Sequence, residues 1–583
     1  MEHLVHLCTS FERYFAHPEA PEGRFTNQQI SAYDRQSTFP ISIIDEMNQW
    51  QVHHWYVPKK LGGKLASFDE LYMLIRLLAR RDLTTAIGHA KTFLGAVSVW
   101  CAGNQQQQKQ MADWVKEGYA ISLALTERER GSDISASEFN ASKINEQYYL
   151  LNGEKYLINN ATRSHCLCVF GRTAYQHNAR DFSLFLVEKS KLSQGSWYNL
   201  PKARTHGIKG ADISGIQFNN ARVHQDDVIG TLGTGLETVL KGFQLSRTLC
   251  GTLMIGAADT ALRKTLAFCR QRNSGHHRLI QLPLIRHVLN QACIELFIRD
   301  CTTLAAHRAI NALPEQMSLI SAHIKATVPA ALEHIIEQLA DILGARGYLE
   351  GDELEPYSAD KERYSNFAKL VRDMRLVSVF DGNTVVNQQA LLLQLRALAR
   401  KRHRFGIHDD TRMATVFDLS QANHEIDLQQ LSLSSHGRDD ITNSLLFIQQ
   451  HWDDSRLAEF PCAAQLKRQL DLLCERLVFI DQTLQQLTIQ VDAIASEHLA
   501  LADHYAQLFS AACCVQFFIH SRQFMHSTFQ DAQWLLSCLT YINQQPLEHN
   551  DLVDEVDDLA SRNYSLSPFV WQLAPSPTNE AQA

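Results

Sequence analysis

Apolar positions along the chain follow two different periods. In residues 1–120 they recur at helical spacing, as in Met73, Leu74, Leu77 and Leu78, and Phe68-Asp69-Glu70 opens that segment. From 121 to 235 the period shortens. Residues 166–170, 183–187 and 213–218 are alternating or wholly apolar runs bounded by Gly, Asn and Lys, which predicts strands. The Asn152-Gly153 pair predicts a hairpin and an antiparallel arrangement. Helical spacing returns over 236–400. Residues 242–272 and 321–343 are rich in Ala and Leu, and Gly344-Ala345-Arg346-Gly347 breaks the second run. Residues 401–440 are polar and irregular and read as a linker. Residues 441–583 return to helix. There Leu466, Leu470, Leu473, Leu477, Ile480, Leu484, Leu487, Val491 and Ile494 alternate steps of four and three, a heptad seam suited to a bundle core. The tail from 565 onward reads as frayed. The expected class is α+β, mostly α: an N-terminal helical domain, a central antiparallel β domain, a C-terminal four-helix domain and an extra helical bundle.

Composition narrows the function. The chain has 583 residues, a net charge of −8 and 20% charged residues, so it lacks the basic face that nucleic-acid binding needs. Its 13 cysteines show no paired metal spacing and predict reduced thiols, hence a cytoplasmic protein. The first 24 residues carry Glu2, Glu12 and Arg13 and show no signal peptide. No apolar run reaches 18 residues without a charge, and the richest, 507–519, predicts a buried helix before a membrane contact.

The candidate chemistry centres on Phe380-Asp381-Gly382-Asn383-Thr384, where an apolar run ends in a carboxylate at a Gly turn. Alone, this reads as a capped helix end. Upstream lie Pro58-Lys59-Lys60-Leu61-Gly62-Gly63, then Leu125-Thr126-Glu127 with Gly131-Ser132-Asp133, a hydroxyl-bearing loop able to meet an electron-rich ligand edge. Asn152-Gly153-Glu154-Lys155-Tyr156, Gly233-Thr234-Gly235, Ser246-Arg247, Arg272, the 344–347 turn and Arg372-Asp373 follow. In this order and spacing the set resembles the acyl-CoA dehydrogenase family, from about residue 40 to about 400.

The resemblance implies FAD held between the β domain and the C-terminal helices, and α,β-dehydrogenation of an acyl thioester carried by CoA or by an acyl carrier protein. It implies Asp381 as the base and Arg247 beside it, keeping it ionised, with Ser132 also near the substrate. It implies an oxyanion-type site using the main-chain N–H of Asp381. Leu125, Thr126, Ser132, Leu157 and Asn159 would meet the flavin, Arg272 and Gly344 the phosphates or a neighbouring subunit's FAD, and Asn383 and Thr384 the adenine side. An electron-transfer flavoprotein is the implied oxidant, and a homodimer the implied assembly. Departures stand out. The family's base is Glu, but here it is Asp381, and the alternative Glu position on the helix is Ser246. Gly275-His276 replaces Phe-Gly, Ala345 replaces a Gly, and Asp341 replaces a Gln. Asp381 and the altered pocket leave one alternative, a flavin-binding scaffold without dehydrogenase activity; Leu157 and Asn159, standing where the family usually has an aromatic residue and a Thr, leave another, an oxidase that passes electrons to O2.

Overall fold

The computed structural model describes residues 1–20, 22–350, 366–402, 409–422, 427–487, 494–547 and 551–574. The chain opens with helix α1 (Glu2–Phe15), whose Leu4, Leu7, Phe11 and Phe15 form one buried stripe. Helices α2 (Phe68–Arg81) and α3 (Leu83–Ala102) follow, divided by Asp82. Asp82 is extended and caps α3 through its carboxylate on Thr85 N, so one helix ends where the next begins.

The β domain runs through β1 (Ile121–Ala124), β2 (Asn140–Lys143), β3 (Tyr148–Asn159), β4 (Cys166–Arg172), β5 (Phe182–Glu188), β6 (Trp197–Leu200), β7 (Ile213–His224) and β8 (Val228–Ile229). The sheet order is β6-β7-β3-β2-β4-β5-β8, with β1 against β4. Most pairings are antiparallel, but Asn152-Gly153 is not the hairpin turn the sequence suggests: it lies inside β3 at a bulge, with Gly153 at φ +126°. In addition, β1 and β2 each pair with β4 in parallel. The chain regains its direction through β3, which runs antiparallel to β2 before β4 begins. One face of the sheet closes over its own core of Phe139, Tyr149, Leu167, Phe185 and Phe218.

Three long helices then stack as the main body: α4 (Gly235–Gln271), α5 (Pro283–Ala312) and α6 (Met317–Leu343). Helix α7 (Phe367–Met374) leads into the 375–383 turn, and α8 (Thr384–Lys401) leaves it. Thr84, Asp82 and Asp373 converge on the buried ammonium of Lys369, which ties α7 to the α2–α3 junction. Asp373 Oδ1 also accepts from Ile208 N, joining the β domain to the same node.

Three expectations change beyond residue 400. Within the stretch read as a linker, Asp410–Phe417 forms helix α9, with Met413, Val416 and Phe417 buried. Arg308, fully buried, donates to Val416 O and pairs with Asp69, which fixes α9 to the main body. The seam is real over α10 (Ala463–Gln486), where its residues from Leu466 to Leu484 are buried, but the helix ends at Gln486. Val491 lies outside the described residues, and the second half of the bundle is a separate helix, α11 (Ser496–Ser521). The tail is not frayed over 565–574. Leu566, Phe569 and Trp571 are fully buried, because the segment packs on α4 and α5.

Candidate active site

The Asp381 turn is built from two residues in left-handed conformation. Asp381 has φ +57° and Gly382 φ +86°. Asp tolerates this region better than most side chains, and Gly enters it freely. A Cβ at Gly382 would stand 3.2 Å from the Arg247 guanidinium and 3.2 Å from Asn387 Nδ2, so the glycine also provides room. Asn383 caps α8 by accepting from Val386 N at 2.9 Å. Asn387 Nδ2 donates to the carbonyls of Gly382 and Asn383. The main-chain N–H groups of Asp381, Gly382 and Asn383 have no acceptor among the described residues.

Arg247 of α4 donates its Nε–H to the Asp381 carbonyl at 3.1 Å. It therefore braces the main chain. The carboxylate itself is held by Lys91 of α3, whose Nζ lies 3.1 and 3.0 Å from the two oxygens. Both side chains are 8% exposed. The Lys91 ammonium also sits 3.8 Å above the Phe380 ring. Lys325 of α6 is fully buried, donates to Val377 O at 2.9 Å, and has its pKa lowered by desolvation. Desolvation pushes the neighbouring Cys250 thiol up to about 12, so it stays protonated. Ile75, Ile87, Ala90, Leu94, Leu249, Leu253 and Phe380 line a cavity of ≈ 20 Å³ beside Asp381. Ser246 faces it too, and its buried hydroxyl has no partner among the described residues.

The β-domain candidates meet this site along α3. Asn160 Nδ2 donates to Gly88 O at 2.8 Å. Gly88 and Lys91 lie within one helical turn of each other, so the end of β3 docks beside the Lys91–Asp381 pair. At that end Leu157 is 53% exposed and held at φ +57°, on a bulge between Tyr156 and Ile158. The left-handed region costs a leucine roughly 1–2 kcal/mol. Asn159 is half-buried, and its carbonyl accepts from Ser122. Leu125 is buried; Thr126 donates its hydroxyl to Tyr156 O. The main-chain N–H groups of Leu125 and Thr126 have no acceptor among the described residues. Ser132 is exposed on its loop. Arg272 is exposed at the C-terminal end of α4, and Gly344 (φ +57°) ends α6 with open space around it.

The middle-domain model of the acyl-CoA dehydrogenases matches residues 122–221, and their C-terminal-domain model matches residues 233–398. The second match contains the Asp381 turn and its Arg247 brace. The chain belongs to the acyl-CoA dehydrogenase family. It is thereby an oxidoreductase acting on CH–CH groups. A probable acyl-CoA dehydrogenase of Mycobacterium tuberculosis is 26% identical over 369 residues, which are 63% of this chain and 90% of the relative. A 3-(aryl)acrylate reductase of Clostridium sporogenes is 23% identical over 64% of this chain and 95% of its own length. Among solved structures, butyryl-CoA dehydrogenase from Megasphaera elsdenii superposes with a TM-score of 0.59 at 19% identity, covering 68% of this chain and 97% of its own. An acyl-CoA dehydrogenase from Bacillus anthracis, solved complexed with FAD, reaches a TM-score of 0.68 at 16% identity and covers 96% of this chain and 88% of its own. The fold likeness to that enzyme thus extends through the C-terminal helices.

For this acyl-CoA dehydrogenase family member, the residues present suit a flavin. An exposed leucine in a strained conformation offers a flat apolar contact. The unpaired N–H groups at Leu125–Thr126 and at the Asp381 turn offer donors to a polar ring edge. Sequence reasoning brought Asp381 and Arg247 together but missed Lys91, Lys325 and Cys250. All three are single residues inside apolar helices. The one available signal was a lysine at position 91 in the otherwise uncharged stretch 83–102. Among the described residues, no group of three or more His, Cys, Asp or Glu could hold a metal ion, and no helix is long and apolar enough to cross a membrane.

Proposed function

We propose that this chain is an FAD-dependent dehydrogenase of acyl thioesters in which Asp381 removes the α proton. The observation that carries this reading is the nearly buried Asp381 carboxylate at an apolar cavity, on a turn with unpaired main-chain N–H groups. FAD, when bound, supplies the acceptor for the β hydride. The chain supplies the rest. Asp381 takes the proton at Oδ. Its own N–H, with no other acceptor, serves the thioester carbonyl, where enolate charge develops. Arg247 holds the carbonyl of the same residue, and so fixes the direction from which the carboxylate approaches. Leu125 and Leu157 would pack on the isoalloxazine, and Thr126, Ser132 and Asn159 would line its polar edge. Asn383 and Thr384 would stand toward the adenine.

Arg272 lies 25 residues beyond Arg247 on α4, about 37 Å along an α-helix. One dinucleotide does not span that distance and the catalytic turn together. Arg272 and Gly344 therefore serve a second copy's FAD in this reading, which makes the active assembly a homodimer. The thioester is carried by CoA or an acyl carrier protein, and an electron-transfer flavoprotein takes the electrons.

Anaerobic mixing of the FAD-loaded protein with acyl-CoA and acyl-carrier-protein series tests the proposal. Bleaching of the oxidised flavin band is expected, without rapid recovery in air. Rapid recovery in air would replace the dehydrogenase with an oxidase. No bleaching with any thioester would leave a flavin-binding scaffold. Asp381→Asn should keep FAD and lose bleaching; undiminished bleaching would remove Asp381 from the role of base.

A further inference from the structure

The site carries more positive charge than proton abstraction calls for. Lys91, Arg247 and Lys325 surround a single carboxylate, Asp381. The neighbouring thiol of Cys250 is neutral. Buried charges are ordinarily paired one to one, because each unpaired charge carries a desolvation penalty of several kcal/mol. Glu333 lies within electrostatic reach of Lys325, which leaves Lys91 and Arg247 both facing Asp381. The imbalance grows during the reaction, since Asp381 becomes neutral once it holds the α proton. Lys91 then loses the one ionic partner it has among the described residues, at a cavity otherwise walled by Ile75, Ile87, Leu94, Leu249 and Leu253.

We propose that Lys91 determines specificity by receiving a carboxylate at the far end of a short acyl chain, so that the substrate is a dicarboxylic acyl thioester. The proposal rests on the dehydrogenase reading of Asp381. Geometry sets the chain length. Lys91 Nζ lies 3.0 Å from Asp381 Oδ2, and the reacting carbon must come within about 3–3.5 Å of that oxygen. The α carbon then stands no more than about 6.5 Å from Nζ. A charge-assisted hydrogen bond takes up about 2.8 Å of this. The remainder, close to 3.7 Å, matches two or three carbon–carbon bonds at about 1.5 Å each. That describes a four- or five-carbon diacid. The incoming carboxylate would take over Lys91 and release Asp381 for its own work, so the resting ion pair guards the base until the right acyl group arrives.

The test uses the FAD-loaded full chain and two readouts. The first is calorimetric affinity for 2-enoyl-CoA products, which oxidised enzyme does not dehydrogenate again: butenoyl-CoA against its analogues ending in a carboxylate at carbon four or five. The second is anaerobic flavin bleaching by the matching saturated thioesters. Wild type should bind a carboxylate-ended product at least tenfold more tightly than butenoyl-CoA. Lys91→Gln should abolish that ratio, and Lys91→Arg should keep most of it, which controls for a folding defect. Equal affinity for both classes, or a preference that survives Lys91→Gln, would overturn the proposal. Bleaching by butyryl-CoA but by no dicarboxylic thioester would overturn it while leaving the dehydrogenase reading intact. Tight, Lys91-dependent binding without any bleaching would instead uphold the subsite and sink the reading of Asp381 as base.

Discussion

Lengthening the base to the family's usual residue should impair this enzyme. Asp381→Glu adds one methylene, about 1.5 Å of reach. The resting Lys91–Asp381 pair leaves little space for it. The Asp381 oxygens already lie 3.0 and 3.1 Å from Lys91 Nζ, and the adjoining cavity is ≈ 20 Å³. Overpacking a closed site by one methylene costs about 1–3 kcal/mol. The φ of +57° at this position suits Asp and disfavours Glu, which adds to the loss. Misplacing the carboxylate by about 1 Å lowers the rate on the order of 10²-fold, equivalent to about 2.7 kcal/mol of barrier. The assay is anaerobic rapid mixing of wild-type, Asp381→Glu and Asp381→Asn proteins with one thioester, following the oxidised flavin band. The expected order is wild type, then the Glu variant about a hundredfold slower, then no bleaching for the Asn variant. A Glu variant that bleaches as fast as wild type would show that the turn is not fitted to aspartate.

Other outcomes follow from the same structure. Leu157→Gly should stabilise the apo-protein by about 1 kcal/mol, since glycine accepts φ +57° without strain, yet weaken FAD binding; thermal melts with and without FAD check both signs. Asp300→Ala should cost about 3–5 kcal/mol in chemical denaturation, because it strips the buried Arg76 guanidinium of the partner 2.5 Å away. Burial by itself would raise the Glu12 carboxyl, but Arg80 and Arg81 outweigh it and bring its pKa from 4.5 down to about 2. Its stabilisation is therefore complete above pH 4.5 and drains away as pH falls toward 2. Glu12→Gln should flatten acid unfolding in that window and lower stability at neutral pH.

The sequence order of motifs was legible because each motif is local. A Gly beside a carboxylate marks a turn, and the Asp381 turn is one. Contacts between distant segments were not legible. Lys91 is 290 positions from Asp381, and no local pattern links a lysine in one helix with a turn after another. The errors beyond residue 400 have a different cause. Met413, Val416 and Phe417 sit at steps of three and one within polar surroundings, so a short amphipathic helix was masked by the composition around it. The heptad seam carried the eye past Gln486, because apolar spacing says nothing of where a helix is cut. In the tail, Leu566, Phe569 and Trp571 were the available signal. Large apolar residues in a terminal segment need a core to enter, and here they have one.

That core makes the C-terminal helices part of the catalytic body. Asp259 lies on α4 twelve residues from Arg247, about 18 Å along the same helix. Its carboxylate accepts from Ser565 Oγ at 2.7 Å and Leu566 N at 2.8 Å. Arg76 reaches Ser565 from α2, and Ser567 reaches Asp300 of α5. Ala574 N donates to Glu12 in α1. Removing residues 441–583 would leave Arg76, Asp259, Asp300 and Glu12 with incomplete partners in a newly opened interior. It would also uncover Phe297, which packs on Phe529 and Trp534, and His323, which stacks on Phe509. A chain ending at 440 should therefore lack a cooperative thermal transition and be cleaved rapidly by protease, with α4 among the early losses. A truncated chain that folds cooperatively and still binds FAD would mean that the extension is an added layer, and that the polar ties on α4 contribute little to holding the Arg247–Asp381 contact in place.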